Sequence, residues 1–220
     1  MKKKLLPIGV LVSGSGSNLQ SIIDGIEAGE LNADIKVVIS NIPGVYALER
    51  AQKHGIPTVV VAHESYPDRE SFDRAVVQIL RSHEVELVVM AGFMRVLTPH
   101  FLRSYPMKIM NIHPALLPAF PGIHVQKKAV DYGVKFAGCT VHFADEGVDT
   151  GPIIIQAVVP VLDSDTDETL AARILKEEHR IYPRAIALYA ARRLRIDGRK
   201  VTVLKGRAVK ERALHNPPLR

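Results

Sequence analysis

The sequence predicts an α/β fold: a mostly parallel, twisted sheet with helices on both faces and an antiparallel strand pair in its C-terminal part. Short apolar runs alternate with segments of helical spacing from residue 5 to residue 112, as in successive βαβ units. After Gly122 two strand-like runs follow each other without a helix between them. The 220 residues are 47% hydrophobic and 24% charged, which is typical of a globular domain with a real core.

Each element follows from its local pattern. Strands are predicted where short apolar runs occur, at residues 5–12, 35–40, 58–61, 87–90, 107–112, 136–143 and 152–159. Helices are predicted where apolar residues recur on one face, at residues 18–28, 47–53, 69–82 and 165–191. Pro183 should kink or split the last helix, because proline lacks an N–H and clashes with the preceding turn.

Length and charge indicate one domain over residues 1–195, followed by a basic extension over residues 196–220. From Arg192 to Arg220 there are ten Lys/Arg and two Asp/Glu, whereas the remaining sequence is nearly neutral. A basic tail can bind RNA, but this one contains no aromatic residue for base stacking. We therefore expect a solvated extension and no nucleic-acid partner.

The sequence also indicates the cellular compartment of the protein. Cys139 is the only cysteine, which excludes an intramolecular disulfide and any multi-cysteine metal site. No apolar run approaches the ~18 residues of a membrane helix, and the N-terminus lacks a signal-peptide pattern. We expect a cytoplasmic protein without a membrane partner.

A glycine loop, residues 13–18 (Ser-Gly-Ser-Gly-Ser-Asn), joins the first strand to the first helix. Glycines let the backbone approach an anion, and the helix N-terminus supplies free N–H groups. A dinucleotide fingerprint would need glycine at Leu19 and favours an acidic residue where strand two ends in Ser40-Asn41. The loop therefore favours a single phosphate, with an unliganded tight turn as the alternative.

Asn111 and His113 end the fifth strand and point to the same side of the sheet, because side chains alternate along a strand. Active sites of open α/β sheets lie at this carboxyl end. An amide can hold a developing oxyanion, and an imidazole can exchange a proton near neutral pH. The pair predicts attack on a carbonyl. The alternative is a histidine that caps a loop carbonyl.

An acidic loop, residues 145–152 (Asp-Glu-Gly-Val-Asp-Thr-Gly-Pro), lies between the last two predicted strands. Such a loop can move and can bring a carboxylate, here Asp149, to orient an imidazole. The alternative is an ordinary solvated turn.

Together these motifs resemble those of the glycinamide ribonucleotide formyltransferases, the folate-dependent enzymes of purine biosynthesis. The resemblance covers residues 7–195, and its Asn-x-His-Pro-Ser/Ala-Leu-Leu-Pro string is specific to folate formyl-transferring proteins. The matching segments are Val-Ser-Gly-Ser-Gly-Ser-Asn-Leu-Gln at 12–20, Ala-Gly-Phe-Met-Arg-Val-Leu at 91–97, Asn-Ile-His-Pro-Ala-Leu-Leu-Pro at 111–118 and Asp-Thr-Gly-Pro at 149–152.

The resemblance implies a Rossmann-like formyltransferase fold with a phosphate-binding N-terminal half and a folate-binding, catalytic C-terminal half. It implies a catalytic trio, Asn111, His113 and Asp149. It implies that the ribonucleotide is held by Gly16, Ser17, Asn18 and Glu178. The implied folate contacts are Arg69, Met94, Arg95, Val96, Leu97, Asn111, Asp145, Glu146, Gly147, Val148 and Asp149. The two arginines are equally compatible with solvated ion pairs.

The resemblance further implies formyl transfer from 10-formyltetrahydrofolate, a co-substrate, to the amine of glycinamide ribonucleotide, without a metal. Small molecules are then the partners, and the chain is a monomer or a homodimer. A formyl-folate hydrolase can use a similar trio with water as nucleophile, although the related hydrolases carry an additional N-terminal domain. A non-catalytic RNA-associated module is a third possibility, and a transfer-RNA formyltransferase would need a longer C-terminal domain.

Overall fold

The computed structural model describes residues 4–206 and 214–216, and one mixed sheet dominates this part of the chain. Its strands are β1 (Leu6–Val12), β2 (Ala33–Ser40), β3 (Thr58–Val60), β4 (Leu87–Met90), β5 (Ile109–His113), β6 (Phe136–Phe143), β7 (Ile153–Pro160), β8 (Leu194–Asp197) and β9 (Lys200–Val203). The helices are α1 (Ser17–Glu27), α2 (Tyr46–Lys53), α3 (Arg69–Ser82), α4 (Pro99–Ser104), α5 (Val125–Tyr132) and α6 (Asp167–Ala190), with a 3₁₀ turn at His63–Ser65.

The order of the strands is β3-β2-β1-β4-β5-β6-β7-β9-β8, and the first five are mutually parallel. Alternating side chains of β1 pack on opposite faces. Val10 joins the core beneath α1, α2 and α6, whereas Leu11 joins Phe72 of α3 and Phe101 of α4. The predicted α/β fold with helices on both faces is therefore confirmed.

The sheet changes direction at β6, which pairs antiparallel with both β5 and β7. The antiparallel pair predicted for the C-terminal part is therefore confirmed, and it borders directly on the parallel strands. This register places His142 opposite Asn111 and Thr140 opposite His113.

The expected split of α6 at Pro183 is wrong, because the helix runs unbroken through that residue. The neighbouring Tyr182 is fully buried, and its hydroxyl lies 3.0 Å from the carbonyl oxygen of Met90 and 2.8 Å from that of Met110. Pro183 also faces Gly25 of α1, where an added Cβ would lie 3.5 Å from the proline Cβ. Tertiary packing on both sides of the proline thus outweighs its local cost.

The chain beyond α6 returns to the sheet as a hairpin of β8 and β9, and β9 pairs with β7 at Lys200 and Ile153. The hairpin crosses the domain boundary expected at residue 195, so residues 196–203 belong to the sheet. Residues 207–213 and 217–220 of the expected extension lie outside the described residues. Within residues 4–206 and 214–216, no helix is long and apolar enough to cross a membrane.

Candidate active site

Three predicted site segments meet at one edge of the sheet. The glycine loop follows β1, a segment from Gly92 to Thr98 follows the adjacent β4, and Asn111 and His113 lie at the end of β5. Because the carboxyl ends of parallel strands share an edge, residues far apart in sequence come together here.

The glycine loop presents the N-terminus of α1 without a side-chain cap. Gly16 has φ 72°, and a Cβ added there would lie 2.6 Å from the Cβ of Ala47. Both the left-handed backbone and the close approach of α2 therefore require glycine. The uncapped N–H groups and the positive end of the helix dipole suit an anion.

A cation that the sequence analysis missed lies against this loop. The Nε of Arg50 donates to the carbonyl oxygen of Ser15 at 2.9 Å, and its Nη1 donates to Oε1 of Gln20 at 3.2 Å. The guanidinium stacks 4.6 Å above the ring of Tyr46. Arg50 follows no motif, so only the packing of α2 against the loop reveals it.

Asn18 and Glu178, both assigned to ribonucleotide binding, are in contact. The Nδ2 of Asn18 donates to Oε2 of Glu178 at 2.7 Å, across 160 positions of sequence. Burial raises the pKa of the Glu178 carboxyl, and the hydrogen bond from Asn18 opposes this shift. The contact joins α6 to the start of α1 and places a buried carboxylate beside the glycine loop.

The amide of Asn111 is oriented by His142, to which the sequence analysis assigned no role. Nδ1 of His142 lies 2.9 Å from the carbonyl oxygen of Phe143, so it must donate. In the neutral ring Nε2 is then an acceptor, and Nδ2 of Asn111 lies 3.2 Å from it. Burial lowers the pKa of His142, which favours this neutral ring. One N–H of the Asn111 amide is thus fixed.

The His113 ring lies between two oxygen acceptors. Its Nε2 donates to the carbonyl oxygen of Phe120 at 2.9 Å, and its Nδ1 lies 3.4 Å from Oδ2 of Asp149. Only the doubly protonated ring can offer a donor to both acceptors. The backbone N–H of Gly122 donates to the same Asp149 oxygen at 2.9 Å and so fixes the carboxylate. The three residues of the predicted trio are therefore adjacent.

A hydrogen-bond network around the buried Thr140 holds the chain at residues 115–117, shortly after His113. The hydroxyl of Thr140 donates to the carbonyl oxygen of Ala115 at 2.7 Å and accepts the N–H of Leu117 at 3.1 Å. Nε2 of Gln156 donates to the Leu117 carbonyl oxygen at 2.9 Å. The chain after His113 is thus tied to β6 and β7, which restrains the ring of His113 indirectly.

Hydrogen bonds between its own residues hold the acidic loop in a compact turn. Oδ1 of Asp145 accepts the hydroxyl of Thr150 at 2.6 Å and the N–H of Gly147 at 3.2 Å. A Cβ added at Gly151 would lie 1.7 Å from the Phe143 carbonyl oxygen, so that position requires glycine. Asp149 has φ 55°, a left-handed conformation that aspartate tolerates better than most residues. The turn aims Asp149 at His113, while Glu146 and Val148 remain exposed.

The segment assigned to folate is anchored on α3. Oδ2 of Asp73 accepts the N–H of Thr98 at 2.7 Å, and the Arg95 guanidinium lies 4.8 Å from the ring centre of Phe72. Met94 and Val96 are largely exposed, whereas Leu97 is 9% exposed and belongs to the core. The first two can contact a ligand directly, and Leu97 supports the segment from beneath.

Two cavities border these segments without including the trio in their linings. One of about 830 Å³ runs between α1 and α6 and includes Ser17, Arg50 and His179. The other, of about 580 Å³, includes Arg69, Arg74 and Thr98. Arg69 thus lies beside the end of the folate segment, with Arg74 as a second cation that the sequence analysis missed.

Comparison with solved structures finds the same fold in a transformylase and in a deformylase. Glycinamide ribonucleotide transformylase 1 from Symbiobacterium toebii superposes with a TM-score of 0.91 and 50% identity, covering 93% of this chain and 96% of that one. A formyltetrahydrofolate deformylase from Pseudomonas syringae gives a TM-score of 0.85 at 29% identity, covering 91% of this chain and 66% of that one.

Comparison with protein sequences finds relatives of the same kind as the solved structures. Phosphoribosylglycinamide formyltransferase of Escherichia coli is 40% identical over 189 residues, which are 86% of this chain and 89% of that protein. The trifunctional purine biosynthetic protein adenosine-3 of Drosophila pseudoobscura is 49% identical over 93% of this chain, which spans 15% of that protein's length. The model of the formyl transferase family matches residues 6–186. The chain therefore belongs to the formyl transferase family, as its motifs predicted.

Proposed function

We propose that this protein transfers the formyl group of 10-formyltetrahydrofolate to the amine of glycinamide ribonucleotide, as a step of purine biosynthesis. The observation that carries the proposal is the trio itself: an oriented amide, an imidazole and a carboxylate are adjacent at the same sheet edge as an uncapped glycine loop. The names of the Escherichia coli and Symbiobacterium toebii relatives support glycinamide ribonucleotide as the acceptor of a formyl group.

In the proposed reaction the substrate amine attacks the formyl carbon, and the carbonyl oxygen becomes negative. The amide N–H of Asn111 that does not face His142 donates to this oxygen. The His113 Nδ1 lies 3.4 Å from Oδ2 of Asp149, longer than a usual N–H···O hydrogen bond, and we propose that in the doubly protonated ring its N–H turns to the formyl oxygen as a second donor. The bond from the formyl carbon to N10 of the folate then breaks.

Proton balance assigns a role to Asp149. The attacking amine must lose a proton, and N10 of tetrahydrofolate must gain one when it leaves. Asp149 stabilises the imidazolium of His113, and we propose that it relays the proton between the two nitrogens through water.

Substrate positioning is divided between the two sides of the trio. The N–H groups of Gly16, Ser17 and Asn18 bind the phosphate, and Glu178 accepts a ribose hydroxyl. Met94, Arg95 and Val96, with the acidic loop, bind the folate, and Arg69 pairs with a carboxylate of its glutamate. Holding both substrates converts a bimolecular encounter into a bound one.

The test is a steady-state assay with both substrates, on the wild type and on Asp149→Asn. We expect formyl transfer by the wild type and a loss of about 10²-fold in kcat for the variant, the usual contribution of acid–base catalysis. Asp163→Asn, at a 95% exposed side chain, is the matched control and should retain full activity. Absence of transfer by the wild type would refute the proposal.

A hydrolase is the second candidate, because the Pseudomonas syringae deformylase shares this fold. The same assay separates the two functions if formate is measured with and without the ribonucleotide. Formate release that does not depend on the amine would establish the hydrolase.

A further inference from the structure

The hydroxyl of Ser13, the first residue of the glycine loop, connects two site segments. The N–H of Ser13 donates to the Gly92 carbonyl oxygen at 3.1 Å and so continues the backbone pairing of β1 and β4 past the ends of both strands. One step further along, the N–H of Met94 donates to Oγ of Ser13 at 2.9 Å. The hydroxyl takes the place of a backbone carbonyl just where the chain turns away at Gly14.

The second partner of this hydroxyl is Asn41, directly after β2. Because the Met94 N–H is a donor, the hydroxyl hydrogen of Ser13 goes to Oδ1 of Asn41, at 2.6 Å. Asn41 is itself held in place, since its backbone carbonyl oxygen accepts a hydrogen bond from Nδ1 of His63 at 2.9 Å. Ser13 and Asn41 are both buried, so neither bond is readily replaced by water.

We propose that Ser13 is a positioning residue that couples the ribonucleotide site to the folate site, an inference that rests on the proposed function. Its backbone begins the loop that holds the phosphate, and its hydroxyl fixes the N–H of Met94 in the folate segment. A ligand bound at either segment stabilises these hydrogen bonds of Ser13 and so favours the bound geometry of the other segment. Because such coupling is a free energy shared by both sites, it acts equally in both directions.

The contact with Ser13 explains why an amide rather than a carboxylate stands at position 41. A dinucleotide-binding fold places an acidic residue at the end of strand two to hold a ribose. Here the corresponding amide faces inward and holds Ser13. Asn41, whose amide disfavours dinucleotide binding at this position, therefore supports the link between the glycine loop and the folate segment.

The test measures the affinity of glycinamide ribonucleotide by calorimetry, with and without saturating tetrahydrofolate. Tetrahydrofolate carries no formyl group, so no turnover occurs. In the wild type we expect tetrahydrofolate to tighten ribonucleotide binding by about 5-fold or more, the lower range of allosteric coupling. In Ser13→Ala the ratio of the two affinities should fall to about one, and in Ser13→Thr, which keeps the hydroxyl, it should be largely retained.

Ser40→Ala is the matched control. Ser40 is fully buried at the end of β2, and its hydroxyl donates to the Ile42 carbonyl oxygen at 2.7 Å without reaching the folate segment. It should lower the melting temperature and leave the affinity ratio unchanged.

Three results overturn the inference. The first is a wild-type ratio of one, and the second is a ratio in Ser13→Ala equal to that of the wild type. The third is an equal loss of the ratio in Ser40→Ala, which would show a general effect of stability. Formyl transfer by the wild type in the kinetic assay shows that such a failure concerns the coupling alone, whereas its absence refutes the proposed function as well.

Discussion

The glycine loop and the trio are built in opposite ways. The loop consists of six consecutive residues, and its proposed ligand groups are backbone N–H donors at the start of α1. The trio consists of side chains from β5 and the acidic loop, and each is held by a partner outside its own segment: His142, the Phe120 carbonyl and the Gly122 N–H. The proposed phosphate binding therefore uses backbone groups of one short segment, whereas the proposed catalysis uses side chains that tertiary contacts bring together.

Because the two regions are built differently, substitutions in them should change different kinetic constants. Changes on the loop side should act on the KM for the ribonucleotide, and changes around the trio should act on kcat. Ser13 begins the glycine loop and contacts the folate segment at Met94, so its replacement should affect the dependence of one substrate on the other.

The largest expected effect comes from Asn111→Ala. Removing a donor to a developing oxyanion typically costs ~10²–10³ in turnover, so kcat should fall by at least that much while folate still binds. Steady-state kinetics and folate titration measure the two effects. Asn32→Ala removes an amide that donates only to the Lys4 carbonyl and should leave kcat unchanged. Near-normal turnover of Asn111→Ala would remove the trio from the mechanism.

A smaller effect on kcat is expected from His142, which contacts Asn111 rather than the formyl group. His142→Ala frees the Asn111 amide to rotate and should lower kcat by about 10-fold, a typical effect of lost positioning. His142→Gln offers an acceptor again and should recover most of kcat. Equal loss in both variants would show that the ring acts in some other way.

The same residue predicts a pH dependence of stability. Burial lowers the pKa of His142 in the folded state, so below about pH 6.5 the unfolded chain binds more protons. Stability associated with this group is present at neutral pH and is lost as the pH falls. The melting temperature of the wild type should therefore decline between pH 7 and pH 5, and His142→Gln should decline less.

The sequence predicted the sheet, most helices and the closeness of Asn111, His113 and Asp149 from local patterns: apolar runs, residues alternating along a strand, or a glycine-flanked turn. It missed Arg50 and His142 because their roles arise from packing of α2 on the glycine loop and from the register of β5 on β6. It misjudged Pro183 because the burial of Tyr182 is a tertiary effect. The hairpin of β8 and β9 was missed because its charged residues resemble a solvated tail.

Glu178→Gln tests the loop side with a more modest effect. Burial raises the pKa of this carboxyl in the folded state, so the stability it contributes is present below about pH 4.5 and is lost as the pH rises through the folded pKa. The neutral amide avoids this loss and should melt about 2–4 °C above the wild type at pH 8. The KM for the ribonucleotide should rise by about 5-fold with kcat little changed. A fall in kcat larger than the rise in KM would place Glu178 with the trio.

The smallest expected effect joins the C-terminal hairpin to the acidic loop. Arg199, in the turn between β8 and β9, donates through Nη2 to the Thr150 carbonyl oxygen at 2.7 Å, next to Asp149. Because this bond is exposed, its loss in Arg199→Ala should raise the KM for the folate only about 3-fold. Arg195→Ala, exposed on the same hairpin, is the control. An increase confined to Arg199→Ala would show that the acidic loop depends on chain beyond residue 195. Equal KM values in the two variants would leave the acidic loop supported by its own Asp145 and Gly151 alone.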